Sequence, residues 1–303
     1  MPRPVQLIGA PTDFGANRRG VDMGPSALRY AGLQRVIEAA GRPCLDAGNV
    51  EVPVVEQLDD DRDGEPVRFL AETRAVTERL SAAVAEALAA DRLPLVLGGD
   101  HSIAIGSMAG SARDADIGVL WFDAHGDFNT PETTPSGHVH GMVLAAALGL
   151  GGFADESWAH VDGLEARNLV WVGLRDLDEG ERAAVSASDA TAFTMADIDE
   201  RGITDVVEAA LDVATDGVDG VHVSLDLDWL DPHEAPGVGT PVRGGVTYRE
   251  AHAALERVAD RDAATGLLRS MDLVEVNPIL DDRNETAALA AELAASALGQ
   301  RIL

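Results

Sequence analysis

The chain has 303 residues, and its 52 acidic and 23 basic side chains give a formal net charge of −29 at pH 7. This charge excludes binding to duplex DNA or to an anionic lipid surface through a basic face, because like charges repel. Hydrophobic residues make up 46% of the chain, which is typical of a folded protein and excludes an acidic disordered chain.

All 23 basic residues are arginine, and the chain contains no lysine. Repulsion among surface carboxylates destabilises a compact protein unless salt screens it, and the Debye length falls to about 3 Å in 1 M salt. The composition therefore indicates a halophilic protein of the haloarchaeal kind, which works in a salt-rich cytoplasm. The alternative is an unusually acidic protein from an organism of ordinary salinity.

The cysteine content and the apolar runs bear on the compartment. The single cysteine, Cys44, cannot form an internal disulfide, and cysteine-rich zinc sites are excluded. The first residues run into a strand pattern without the features of a signal peptide, and no apolar stretch reaches the roughly 18 residues of a transmembrane helix. We therefore expect a soluble, cytoplasmic protein.

Short, nearly continuous apolar runs recur along the chain and predict strands that are buried on both faces of a parallel sheet. The six runs are Val5–Gly9, Pro94–Leu97, Ile117–Phe122, Asn168–Val172, Val221–Leu225 and Leu267–Leu273.

Helical patterns separate these runs. The clearest is Val67–Ala90, where apolar residues recur at spacings of four or seven and build one stripe. Further helices are predicted to begin at Pro25 and to span about Tyr248–Val258 and Asn284–Leu298. The acidic stretch Asp59–Glu65 lacks EF-hand spacing and is interpreted as a solvated loop. The alternation predicts a single α/β domain over residues 1–303, with a doubly wound parallel sheet.

Three polar clusters each follow a predicted strand: Gly98–Ser102, Asp123–Asp127 and Asp226–Asp228. Alternate residues of an extended chain point to the same side, so the acids and the histidine at 123, 125 and 127 share one face. Ligands of open α/β sheets bind at the carboxyl ends of the strands. We therefore expect the three clusters to form one site.

The converging side chains would be two imidazoles and four carboxylates, which cannot gather without counter-charge. Four negative charges match two divalent cations, and oxygen-rich ligation with imidazole suits manganese. Two such ions can lower the pKa of a shared water, which is the chemistry of metal-assisted hydrolysis. Asp226 and Asp228 alone are weak support in so acidic a chain, but the three clusters together favour a metal site over solvated charge.

The segments GGDHS (98–102), DAHGD (123–127) and SLDLDWLDP (224–232) resemble the signatures of the ureohydrolases, the arginase and agmatinase superfamily. The resemblance extends to residues 7–33, 173–181, 239–251 and 272–278 and is strongest to arginases. It implies an arginase/deacetylase-like sheet of eight mostly parallel strands and two Mn²⁺ per subunit. It also implies hydrolysis of L-arginine to L-ornithine and urea by a metal-bridging hydroxide.

The same resemblance implies roles for individual residues. One ion would be held by His101, Asp123, Asp127 and Asp226, and the other by Asp123, His125, Asp226 and Asp228. The implied catalytic residues are Asp127, His140 as the proton shuttle, and Glu275, which would pair with the guanidinium. The implied substrate-binding residues are Asn129, Ser136, His138, Asp178, Glu181, Thr240 and Glu275.

One departure leaves the substrate open. His138 stands where arginases usually carry a second asparagine that binds the α-carboxylate, so agmatine or another guanidino acid is the alternative substrate. A non-catalytic acidic metal-binding protein would need neither His140 nor Glu275. A two-metal phosphatase would need basic groups, and the site region is poor in arginine apart from Arg175 and Arg243. We assign no role to His233 and Glu234.

The expected partners are a small guanidino substrate and further copies of the chain, without nucleic acid or membrane. The resemblance implies a homotrimer or homohexamer. Arg249 and Glu250 match residues that are often found at the subunit interface of the family, although a surface salt bridge is the simpler interpretation.

Overall fold

The apolar runs form one eight-stranded, all-parallel sheet in the computed structural model, which describes residues 2–16, 18–58 and 66–302. The strands are β1 Val5–Ala10, β2 Cys44–Asn49, β3 Leu93–Gly98, β4 Ile117–Phe122, β5 Leu164–Leu174, β6 Thr191–Thr194, β7 Gly220–Asp226 and β8 Leu268–Val274. Their order across the sheet is β2-β1-β3-β8-β7-β4-β5-β6. This confirms the doubly wound single-domain fold and makes the sheet fully parallel.

The described residues also form ten α-helices, of which the last follows the final strand. They are α1 Gly24–Tyr30, α2 Leu33–Ala39, α3 Leu70–Ala89, α4 Ala104–Ala112, α5 Val143–Ala147, α6 Glu179–Ala187, α7 Met195–Arg201, α8 Ile203–Ala214, α9 Tyr248–Thr265 and α10 Glu285–Ala297. None of the helices in the described part of the chain is long and apolar enough to cross a membrane.

The core lies on both faces of the sheet. On one face, side chains such as Val223 pack with Leu255 of α9 and Leu293 of α10. On the other face, Val96 packs with Leu80 of α3. Each central strand therefore buries both of its faces, which explains why these strands are apolar almost without interruption.

The structure differs from the sequence prediction at several boundaries. The long helix begins at Leu70 rather than Val67, because Phe69 before it has a left-handed backbone (φ 49°). The helix that starts at Tyr248 continues past Val258 to Thr265 and ends at Gly266, whose φ is +72°. The acidic stretch at 59–65 lies outside the described residues.

Candidate metal centre and cleft

Four adjacent central strands direct their carboxyl ends to one edge of the sheet. β3 leads to His101, β8 to Glu275, β7 carries Asp226 as its last residue, and β4 leads to Asp123. All four residues are at least 97% buried. The three polar clusters predicted from the sequence therefore meet, and β8 adds a fourth contribution between two of them.

The first group of potential ligands surrounds His101. Its Nδ1 lies 3.2 Å from a carboxylate oxygen of Asp123, 3.2 Å from one of Asp127 and 3.0 Å from one of Asp226. Ligand atoms of His101, Asp123 and Asp226 lie within 4.8 Å of one another. Despite these short distances, Nδ1 of His101 is buried without a hydrogen bond of acceptable geometry. A metal ion would satisfy this nitrogen and the surrounding oxygens together.

The second group contains Asp123, His125 and Asp228, and it shares Asp123 with the first. Nδ1 of His125 lies 3.0 Å from Oδ2 of Asp228 and 3.5 Å from Oδ1 of Asp123. The hydroxyl of Thr240 donates a hydrogen bond to Oδ2 of Asp228 at 2.9 Å. Asp226, which is implied as a ligand of both ions, belongs by distance to the first group only.

The charge state of the cluster fits a cation site. Burial, together with the neighbouring Asp123 carboxylate, raises the pKa of Asp127 to about 6, and burial with Asp228 raises the pKa of Asp226. Burial lowers the pKa of His125, but Asp228 and Asp123 raise it by more, so the net shift is upward. The buried carboxylates thus favour positive charge beside them, which divalent ions would supply.

Two site residues, Asp127 and Glu275, have left-handed backbones although neither is glycine, with φ of 48° and 64°. Residues other than glycine rarely adopt this backbone conformation, and it persists where surrounding contacts enforce it. The carbonyl of Asp127 accepts from the amide of Leu144 at 2.9 Å, and the amide of Glu275 donates to Gly99 at 2.9 Å. Both contacts hold the carboxylates toward the cluster.

A column of buried, hydrogen-bonded side chains from β7 and β8 supports His101. The sequence alone did not predict this column. Nε2 of His101 lies 2.8 Å from the hydroxyl of Ser224, which donates to Asp272 at 2.6 Å. Asp272 also lies 3.0 Å from Nε2 of His222, whose Nδ1 contacts Ser270 at 2.7 Å. These residues alternate along β7 and β8, so their period of two was the signal available in the sequence.

The column assigns the tautomer of His101. A deprotonated Asp272 only accepts hydrogen bonds, so Ser224 donates to it and accepts from Nε2–H of His101. When the ring is neutral, as metal binding requires, Nδ1 is then the unprotonated nitrogen, and it faces the carboxylate oxygens of Asp123, Asp127 and Asp226. Trp121 adds a second constraint, because its ring stacks on His101 at 4.0 Å and its Nε1 donates to Asp123 at 2.9 Å.

His140 and Glu275 form a pair beside the first group. Nδ1 of His140 lies 3.4 Å from Oε1 of Glu275, and the same oxygen accepts a hydrogen bond from the amide of His101 at 2.9 Å. Burial lowers the pKa of His140, but Glu275, with Asp127 and Asp100, raises it by more, so the net shift is upward. The imidazole therefore keeps its proton to a higher pH than an isolated histidine does.

A cleft of about 190 Å³ opens over both groups. It is lined by His125, Asp127, Asn129, Thr134, Pro135, Ser136, His140, Gly141, Asp178, Glu181, Asp226, Asp228 and Thr240. Most of the predicted substrate-binding residues therefore lie on one surface. His138 and Glu275 are not among these lining residues, and the ring of His138 is edge-on to that of His140 at 6.1 Å between centroids.

Two of the lining acids also make structural contacts. Asp178 caps α6 by accepting from the amide of Glu181, and its other oxygen accepts from the side chain of Asn129 at 2.8 Å. The carboxylate of Glu181 accepts from the amides of Phe128 at 3.2 Å and Asp178 at 3.4 Å. Glu181 thereby joins the segment after β4 to the segment after β5.

Comparison with known proteins gives a consistent result over nearly the whole chain. A model of the arginase family matches residues 3–299. The arginase of Bacillus caldovelox is 46% identical over 303 residues, covering 99% of this chain and 100% of that protein, and the arginase of Bacillus subtilis is 46% identical over 308 residues, covering 100% of both. The solved structure of the Bacillus caldovelox arginase matches with a TM-score of 0.92 at 44% identity, covering 99% of this chain and 100% of that one.

Proposed function

The chain belongs to the arginase family, and we propose that it hydrolyses L-arginine to L-ornithine and urea with two Mn²⁺ per subunit. The observation that supports this most directly is that two ligand groups lie beside one cleft together with the His140–Glu275 pair. The two ligand groups have Asp123 in common. A non-catalytic metal-binding protein would have no use for that pair.

The proposed ligands fit two divalent ions by their chemistry. His101, Asp123, Asp127 and Asp226 would hold one ion, and Asp123, His125, Asp226 and Asp228 the other, through carboxylate oxygens and unprotonated Nδ1 atoms. The donor set is oxygen-rich and contains no thiolate, which suits manganese. When bound, the ions supply a water of lowered pKa that can attack the guanidinium carbon near neutral pH.

Glu275 would orient the substrate guanidinium, and His140 would donate a proton to the leaving nitrogen. Glu275 is buried next to the cluster, and its carboxylate would accept hydrogen bonds from the planar guanidinium and orient its carbon. As the bond from carbon to the leaving nitrogen breaks, that nitrogen takes the electron pair and needs a proton. His140 faces the cleft and, with its pKa raised by Glu275, would donate that proton.

The far end of the cleft would select arginine. Asn129 and Ser136 present an amide and a hydroxyl that can donate to an α-carboxylate, and Asp178 can accept from the α-ammonium. Agmatine lacks the carboxylate and would leave these donors without a partner. His138 lies two residues from both Ser136 and His140 of the cleft lining, and it would act on this end of the cleft through these neighbours.

A substrate panel tests the proposal. We would measure urea released from L-arginine, agmatine and a guanidino acid, with added Mn²⁺ and at several KCl concentrations. One lost hydrogen bond to a charged group is worth about 1.5–3 kcal/mol, so kcat/KM for L-arginine should exceed that for agmatine by about tenfold or more. The opposite preference would replace arginine by agmatine as the substrate.

Ser136→Ala provides a control for the selectivity. This variant removes one proposed carboxylate donor without touching the metal groups, so it should lower kcat/KM for L-arginine and leave that for agmatine unchanged. Equal loss on both substrates would contradict the role of Ser136 in carboxylate binding.

We also propose a cytoplasmic homotrimer or homohexamer that is adapted to high salt. Its single cysteine suits a reducing compartment. The net charge of −29 and the absence of lysine support adaptation to salt.

A further inference from the structure

Arg175 follows β5, and its guanidinium lies among backbone carbonyls instead of carboxylates. Nη2 donates to the carbonyl of Asp228 at 2.6 Å, to that of Leu230 at 3.2 Å and to that of Val242 at 2.9 Å. Nε donates to the same carbonyl of Val242 at 3.3 Å, and Nη1 to that of Gly173 at 3.4 Å. One side chain thus joins β5 to the segment after β7 and to the segment around 242.

The backbone of Arg175 holds a further segment. The amides of Arg175 and Asp176 both donate to the carbonyl of Ala124 at 3.0 Å. Ala124 lies between Asp123 and His125, and its own amide donates to the carboxylate of Asp228 at 3.3 Å. Both chain segments that contribute to the second ligand group are therefore tied to one residue.

The surroundings are shaped for this side chain. A Cβ atom at position 245 would lie 2.6 Å from Nη2 of Arg175, so only glycine leaves room for the guanidinium there. The bridge between Leu230 and Val246 brings the two loops together beside it. Among the described residues, Arg175 forms no direct ion pair with a carboxylate. Burial of this cation is costly, and the hydrogen bonds to carbonyls and the nearby Asp228 and Asp123 carboxylates offset part of that cost.

In the sequence, Arg175 stands out only as one of two arginines in a site region that is otherwise poor in basic groups. In the structure, its guanidinium donates to the carbonyls of Asp228, Leu230, Val242 and Gly173. A guanidinium is suited to this task, since its five N–H donors lie on three nitrogens in a rigid fork and reach carbonyls of separate segments, whereas the three donors of a lysine ammonium share one nitrogen.

We propose that Arg175 is a positioning residue that holds the backbone of Asp228, and the loop carrying Thr240, in the arrangement that binds the ion of the Asp123–His125–Asp228 group. The inference rests on the proposed two-metal function. Thr240 donates to the Asp228 carboxylate at 2.9 Å, so releasing either loop separates that pair as well. In the described residues the guanidinium donates no hydrogen bond to His101, Asp123 or Asp226, so the His101 group should keep its ion.

The test uses Arg175→Lys and Arg175→Met, with Arg243→Met as the matched control. Arg243 is exposed and lies next to Val242 in the chain, and Arg243→Met removes the same charge as Arg175→Met. Each full-length protein is equilibrated with Mn²⁺ alone in graded chelator buffers, and bound manganese per subunit is counted. Electron paramagnetic resonance then distinguishes isolated Mn²⁺ from the coupled pair, and neither measurement depends on turnover.

We expect Arg175→Lys to bind its first Mn²⁺ like the parent and its second about 10- to 100-fold more weakly, with an isolated-ion signal at intermediate manganese. Arg243→Met should bind both ions like the parent. Arg175→Met should show the same selective loss if it folds, and Arg175→Lys decides the question if it does not.

Two results would overturn the inference: unchanged affinity for both ions in Arg175→Lys, or equal weakening of both, which would indicate a general loss of structure. A parent that binds two ions but releases no urea from L-arginine would overturn the proposed substrate and leave the role of Arg175 standing. A parent that binds no second ion would overturn both.

Discussion

At the scale of single residues, His140 in the cleft lining has the most direct chemical consequence. His140 lies 3.4 Å from Glu275 and is absent from both potential ligand groups. Its proposed task is to protonate the leaving nitrogen, so its removal should affect the reaction and not the metal.

We expect His140→Ala to keep two Mn²⁺ per subunit and to lose about 10²- to 10⁴-fold in kcat, which is the usual contribution of general acid catalysis. Urea release and bound manganese are measured on the same preparation. Asp226→Asn is the contrasting variant and should lose metal, because Asp226 belongs to the first ligand group. An unchanged rate in His140→Ala would remove the shuttle role.

Glu181 is the residue with the clearest dependence on pH. Burial, and then the nearby Asp127 carboxylate, raise its pKa from 4.5 to about 7. A carboxyl group whose folded-state pKa exceeds its unfolded value adds stability below the unfolded pKa. That stability is lost as the pH rises through the folded pKa.

In the metal-free protein, we expect Glu181 to cost up to about 3 kcal/mol of unfolding free energy as the pH rises from about 4.5 to about 8. Glu181→Gln does not titrate and lacks this component. Urea denaturation of both proteins across that range should show the parent losing stability relative to the variant. A difference between the two that stays constant with pH would contradict the raised pKa.

At the scale of elements, the central strands could be predicted and the edge strands could not. β3, β4 and β7 are buried on both faces, so hydrophobicity alone marks them, and β4 has the predicted limits Ile117–Phe122. β2 reads CLDAGN and is largely exposed, and the four residues of β6 are half-buried. Edge strands pair on one side only, so they carry little apolar pattern.

The same physical difference divides the site. Asp123, His125 and Asp228 follow apolar strands directly, so their convergence could be inferred from strand direction. Ser224 and Asp272 lie inside the strands, where the surrounding apolar residues mask them. Their role depends on β7 lying next to β8, and the sequence does not show the strand order.

Ser224→Ala and Ser270→Ala form a matched pair on that column, because both remove one hydroxyl from a fully buried position. The hydroxyl of Ser224 accepts a hydrogen bond from Nε2–H of His101, whereas Ser270 lies three hydrogen bonds beyond Ser224 along the column. We expect Ser224→Ala to weaken the first Mn²⁺ by about 10- to 100-fold and Ser270→Ala to leave it unchanged. Competition with a chelator measures both, and equal effects would contradict the tautomer argument.

At the scale of the whole molecule, the net charge of −29 is far larger than the site requires. Four metal-site aspartates, Asp178 and Glu275 have proposed roles, and most of the other acids are exposed. Exposed like charges repel over a range that salt shortens. We therefore expect the surface charge to influence stability in solution more than it influences the reaction.

We expect the melting temperature to rise steadily between dilute buffer and molar KCl, because screening removes repulsion among the surface carboxylates. Thermal melts at fixed Mn²⁺ and pH measure this. A melting temperature that is independent of KCl would contradict salt adaptation and favour an ordinary acidic protein. If the melting temperature does rise with KCl, activity assays in dilute buffer will underestimate turnover.

The most direct test of the account is urea release from L-arginine as metal-free protein is titrated with Mn²⁺ in molar KCl. Two ligand groups that share Asp123 predict that turnover reaches its maximum at two Mn²⁺ per subunit and vanishes without metal. Full turnover at one ion per subunit, or urea release that persists in excess chelator, would contradict a two-metal hydrolase.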